Sequence, residues 1–148
     1  VSRLAKVVID TGVFVEYIDK RASFHSPAKA IIESIGAIEV FLPPITLAEV
    51  CYIAARLLEF SGAKNAFEKA SEFVNWIYTH PAVTIINDLS LHTEAARVKL
   101  EYNMALADCY ILALSKLKRC KAVFRKREKE MSEEVEEEFD TLFLEDYM

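Results

Sequence analysis

Glycine and proline are scarce in this sequence, with three glycines and four prolines in 148 residues. An all-β sandwich needs turn residues at short intervals, so that architecture is disfavoured. Gly12, Gly36 and Gly62 are too sparse for GxGxxG or the P-loop motif, which excludes dinucleotide binding and P-loop nucleotide hydrolysis. Cysteine is also rare. Cys51, Cys109 and Cys120 are odd in number and lack CxxC spacing, which fits small core thiols in a reducing compartment rather than a zinc site or a disulfide framework. His25, His80 and His92 lack ligand spacing, which argues against a histidine-rich zinc centre. No GxSxG and no nucleophilic cysteine context supports acyl transfer. No apolar run approaches the roughly 18–20 residues of a membrane span. The longest are cut by Pro43, Pro44 or charges, and Asp10 interrupts the first, which argues against a signal peptide. The expectation is a cytoplasmic protein with no membrane contact.

What is present is apolar and charged. Hydrophobic residues make up 53% and charged residues 28%, which excludes a disordered chain. The length fits one domain over 1–148 with a core of its own. The net charge of −5 is unevenly spread. Positions 116–129 hold eight bases and one acid, Glu128, whereas the segment 130–148 holds nine acids and no base. Without that acidic C-terminal segment, 18 bases face 14 acids, a net +4. A basic stretch beside an acidic tail points to a polyanionic or acidic partner, with the tail folded, solvated or masking the bases. Solvated surface and helix-end preferences explain the same run equally simply.

Pattern along the chain predicts strands at 6–10, 38–42, 83–86 and 122–124, with an edge strand at 141–144. Helices are predicted at 13–18, 27–35, 46–60, 65–79, 90–102, 106–117 and 133–139, with Ser26 and Ser90 as N-caps. Strands alternating with helices indicate an α/β fold with a parallel sheet covered on both faces. Ligands of such sheets bind beyond the carboxyl ends of the strands.

That rule singles out Asp10, which closes the apolar run KVVID. A carboxylate at the mouth of a buried strand needs a cation or strong donors, although a turn or helix cap is an equally good use for it. Glu49 follows the second strand; its spacing from Thr46 is also that of a capping box. Asp108 lies in MALADCYILALSKL, where apolar residues at i+3 and i+4 turn it inward. Its place near a helix start is also favourable by itself. Three carboxylates at one sheet edge make a site for a hard cation such as Mg²⁺ or Mn²⁺, which activates water and steadies a phosphodiester transition state.

The segments VVIDTGVFVEYI, PPITLAEV and LADCYILALSKLKRCKAVF, with acids spaced 39 and 59 residues apart, resemble the PIN-domain family, and most closely the VapC-type toxins of prokaryotic toxin–antitoxin pairs. The likeness runs from Lys6 to about Met131. It implies a three-layer α/β/α sandwich around a parallel sheet and a Mg²⁺- or Mn²⁺-dependent endoribonuclease cleaving single-stranded RNA. It also implies a homodimer and an antitoxin partner; the apolar residues Ile53, Leu57 and Phe60 are a candidate face for the second copy, or pack within the chain's own core. Asp10, Glu49 and Asp108 would be the catalytic, metal-holding acids, and Thr11, which matches the small hydroxyl residue after the first Asp, is a candidate RNA contact. The sequence departs from the family at its fourth acid, part of a T-x-D motif. Arg125 and Arg127 fall where Thr and Asp are expected, and Glu128 and Glu130 are the nearest acids. Glu128 or Glu130 takes the metal role, or the site holds three acids. The arginines then bind RNA phosphates, or they fill the acidic pocket and leave a catalytically weak module for RNA or protein binding.

Overall fold

The computed structural model describes residues 4–148; residues 1–3 of the expected domain lie outside the described residues. The apolar runs form parallel strands: β1 (Ala5–Ile9), β2 (Ile38–Leu42), β3 (Val83–Ile85) and β4 (Lys121–Phe124), with β5 (Thr141–Phe143) at the edge. They assemble into one five-stranded sheet in the order β3-β2-β1-β4-β5. Registers such as Val7 beside Val40 and Val8 beside Ala122 put β1 at the centre.

Successive strand residues point to opposite faces, so a continuous apolar strand feeds two cores. Val8 packs with Leu91, Leu112 and Phe124 on one face, where α5 (Leu89–Tyr102), α6 (Leu106–Lys118) and α7 (Glu133–Glu138) lie. Ile9 and Val123 pack with Phe14, Ile32, Val50 and Ile77 on the other. Those residues come from α1 (Thr11–Ile18), α2 (His25–Ile32), α3 (Pro44–Phe60) and α4 (Ala66–Thr79). The result is the α/β/α sandwich that the pattern predicts.

Several helix starts differ from the expected caps. Asp88, not Ser90, caps α5: its Oδ1 accepts from Leu91 N–H at 3.0 Å and from the Ser90 hydroxyl at 2.8 Å. A charged acceptor outcompetes a neutral one. Helix α2 begins at His25, ahead of Ser26, and has no side-chain cap. His25 Nδ1 is instead hydrogen-bonded to the Glu16 carbonyl at 2.9 Å, a tertiary contact that sequence spacing does not reveal.

The acidic C-terminal segment folds back onto the basic one. Arg127 bonds Glu136, Glu145 and Asp146 and lies 4.2 Å above the Phe143 ring. Lys116 pairs with Glu138 at 2.7 Å, and Lys121 with Asp140 at 2.8 Å. The acidic tail thus both folds and masks bases of the 116–129 run.

Candidate active site

Asp10 follows β1 directly, and its backbone N–H donates to Val123 O at 2.9 Å, extending the β1–β4 pairing past the strand end. The residue then caps α1: Oδ2 accepts from Gly12 N–H at 3.2 Å. The cap and the pocket roles coexist because a carboxylate has two oxygens. Thr11, nearly buried, donates its hydroxyl to Glu49 Oε1 at 2.8 Å.

Glu49 reaches the same place because the capping box does not form. Pro43 is extended and Pro44 takes the first helical position, where a missing N–H costs nothing. The helix therefore starts two residues before Thr46, which is buried within the first turn, and Glu49 stays free of the helix terminus. Asp108 stands in the first turn of α6, whose residues 111–115 are all buried.

Asp10, Glu49, Asp108 and Glu128 line one cavity of about 360 Å³ at the carboxyl edge of the sheet. Thr11, Gly12, Arg125 and Lys126 also line it, with Val15, Ile53 and Phe124 among its apolar walls. Arg127 does not; it is engaged by the acidic segment as described above. Glu130 does not line it either, although its charge reaches Asp108.

The electrostatics follow from that crowding. Burial, then the negative charges of Asp108 and Glu49, push the Asp10 carboxyl up to about 7, against the opposing pull of the Gly12 and Thr11 N–H groups. Burial, then Glu128, Glu49 and Glu130, push Asp108 up to about 6. Like charges held together out of water make ionisation expensive, and a cation relieves it.

The donor set is all oxygen: carboxylates and one hydroxyl. That suits Mg²⁺ or Mn²⁺ and not a soft metal. Among the described residues no three His, Cys, Asp or Glu side chains close into a ready-made cation cage. Mg²⁺ does not require one, because it keeps several waters and is bound through one or two carboxylates. Asp10 and Asp108 are the acids whose charge is least compensated, and they fit that role.

Sequence pattern alone does not single out Glu16. It is 5% exposed, and its Oε2 accepts from Phe24 N–H at 2.9 Å and its Oε1 from Arg125 Nη1 at 3.3 Å. The available signal was a charged residue inside the apolar helical run GVFVEYI, one turn after Gly12. Lys126 is one of eight bases in the 116–129 run, and its place in the cavity wall depends on how β4 ends.

The PIN domain family profile matches residues 7–133. The chain belongs to the PIN domain family. Its fold is shared with VapC20 of Mycobacterium tuberculosis, a sarcin-ricin loop cleaving toxin (15% identity, TM-score 0.58, covering 77% of this chain and 84% of that one). VapBC2 from Rickettsia felis, solved with a DNA fragment of its promoter, is similar (14%, 0.57, 82% and 88%). So is a toxin–antitoxin complex from Klebsiella pneumoniae (19%, 0.53, 81% and 86%). A comparison with curated protein sequences finds no match. Among the described residues no helix is long and apolar enough to cross a membrane.

Proposed function

We propose that this PIN domain is a divalent-metal-dependent endoribonuclease acting on single-stranded RNA, and that it is the toxin of a toxin–antitoxin pair. The observation that carries this reading is the convergence of Asp10, Glu49, Asp108 and Glu128, from four separate parts of the chain, on one cavity with Arg125 beside them. Asp10 and Asp108 would hold Mg²⁺ or Mn²⁺, with Glu49 and Glu128 completing its surroundings. The ion would supply an activated water and charge stabilisation at the phosphorus. Thr11 orients Glu49 through its hydroxyl. Arg125 contacts RNA phosphate from the wall, and the apolar lining limits bulk water.

The fold's toxin–antitoxin neighbours support an antitoxin partner and a cytoplasmic location. The homodimer proposal rests on Phe60, 95% exposed, which shares an open hollow on α3 with Ile53 and Leu57. Light scattering at micromolar concentration that gives a monomer mass counts against it.

The central test is cleavage of single-stranded RNA by the purified protein with Mn²⁺ or Mg²⁺ and with excess EDTA. Cleavage is expected only with metal and is expected to be lost in Asp10→Asn and Asp108→Asn. Cleavage undiminished by EDTA overturns the mechanism. Mn²⁺ affinity that falls tenfold or more in Glu128→Gln, and not in Glu130→Gln, assigns the fourth acid. One observation favours a second reading. Arg125 and Lys126 line the same cavity as the acids, which suits a domain that binds RNA without cutting it; metal-independent binding with no cleavage is its signature.

A further inference from the structure

Glu16 is a buried carboxylate on the apolar side of a core helix, and such a group survives only with partners. One of its two is remote: the Arg125 guanidinium, at 3.3 Å, from a residue just past β4. The path of that arginine is fixed along its length. Its carbonyl accepts from Glu145 N–H at 3.1 Å. Its aliphatic stem lies over the first turn of α1, where a Cβ built on Gly12 meets Arg125 Cβ at 3.4 Å and Cδ at 3.8 Å. The side chain therefore runs along α1 from Gly12 to Glu16, one helical turn.

The guanidinium carries five N–H donors, and among the described residues only Glu16 takes a hydrogen bond from it. Glu128 Oε1 stands 3.9 Å from Nη2, an ion pair too long for a hydrogen bond. Arg125 thus presents unused donors beside a cavity lined by four carboxylates. Left untethered, a cation there would pair with the acids, as Coulomb's law requires of opposite charges in a poorly hydrated space. The Glu16 charge draws it the other way, from outside the cavity.

We propose that Glu16 is a positioning residue that holds Arg125 off Asp10, Glu49 and Asp108 and fixes it at the cavity wall, at ion-pair distance from Glu128, as a seat for an RNA phosphate. The inference rests on the ribonuclease reading and extends it to a residue that touches neither RNA nor metal. A tethered arginine loses little conformational entropy when it binds, and its planar fork suits a phosphate. It also compensates the repulsion that a phosphodiester meets on approaching acids.

The test uses Glu16→Gln, Arg125→Met and the double variant. Gln keeps an oxygen for the Phe24 N–H and loses the charge; Met keeps the stem over Gly12. Two binding constants are measured: that of a single-stranded 2′-O-methyl oligoribonucleotide, first checked to stay intact over the measurement, with Mn²⁺ present, and that of Mn²⁺ alone. Each single variant is expected to weaken oligonucleotide binding at least fivefold, with the double variant no weaker than Arg125→Met. Mn²⁺ binding is expected to weaken in Glu16→Gln, because Arg125 swings onto the acids, and to recover in the double variant. Wild-type values for Glu16→Gln in both assays overturn the proposal, as does an additive loss in the double variant, which would mean that Glu16 acts without Arg125. Should Glu16→Gln fail to fold, Arg125→Met alone decides: unchanged oligonucleotide binding overturns the seat. Wild type that binds the oligonucleotide in a Glu16-dependent way yet cuts no RNA refutes the ribonuclease reading alone. Wild type that binds no oligonucleotide refutes both.

Discussion

Replacing Asp10 with Asn is expected to abolish metal-dependent cleavage and, at the same time, to stabilise the metal-free protein above neutral pH. The wild-type carboxyl moves from an ordinary 3.8 to about 7 on folding. Its ionisation in the folded chain is therefore about 4 kcal/mol more costly than in the unfolded one. Between pH 3.8 and about 7 the folded chain keeps a proton that the unfolded chain has released, so stability falls as pH rises through that window. Asn carries no such proton. It also keeps an oxygen for the Gly12 N–H and is as good an N-cap as Asp. The advantage of Asp10→Asn should thus be near zero at pH 4 and reach about 2–4 kcal/mol by pH 8, since water drawn into the cavity recovers part of the penalty. For a chain of this size that corresponds to a rise in Tm of roughly 5–12 °C. The assay is calorimetric melting of EDTA-treated wild type and variant from pH 4 to 8.5. Saturating Mn²⁺ should narrow the gap, because a ligand of the folded wild type adds stability that the variant cannot gain. A variant less stable than wild type at pH 8, or a gap that does not change with pH, refutes the reasoning.

Gly12→Ala places a Cβ 3.3 Å from Asp10 Oδ2 and 3.4 Å from Arg125 Cβ; the expected outcome is a folded protein with reduced RNA cleavage, checked by circular dichroism and initial rates. Glu138 behaves in the opposite sense to Asp10. Burial opposes its charge, but hydrogen bonds from Lys116, Tyr102 and Arg97 prevail and hold its carboxyl at about 2. Glu138→Gln should lower Tm at pH 7, and the difference from wild type should shrink as pH falls from 4.5 through about 2, because a carboxyl depressed by folding stabilises only while ionised.

Much of this architecture is legible in the sequence because it depends on local pattern. The apolar residues of the runs KVVI, IEVFL and KAVF feed both cores, as strands of a covered parallel sheet do. Asp10, Glu49 and Asp108 are legible because each follows a strand end or opens a core helix, and the structure brings all three to one cavity. Contacts between distant segments are what local pattern does not show. Glu16 reads as one acid in an amphipathic stretch until Arg125, 109 positions later, is placed against it. Arg125 and Arg127 look equivalent in RKREKE, yet one lines the cavity and the other is taken by Glu136, Glu145 and Asp146. The strand order, with β1 between β2 and β4, is likewise a property of the whole sheet.

That central place of β1 governs when the cavity comes into existence. The pairing of β1 with β2 joins segments within the first 50 residues, the part of the chain that holds Asp10 and Glu49, whereas the other edge of β1 is closed by β4, about 80 residues further on. Asp108 and Glu128 arrive with that later part. Domains form as units during synthesis, and contacts between residues far apart in sequence are the slow ones. The cavity is therefore complete only once β4 has docked against β1 and brought its wall, Phe124 to Glu128, to the acids.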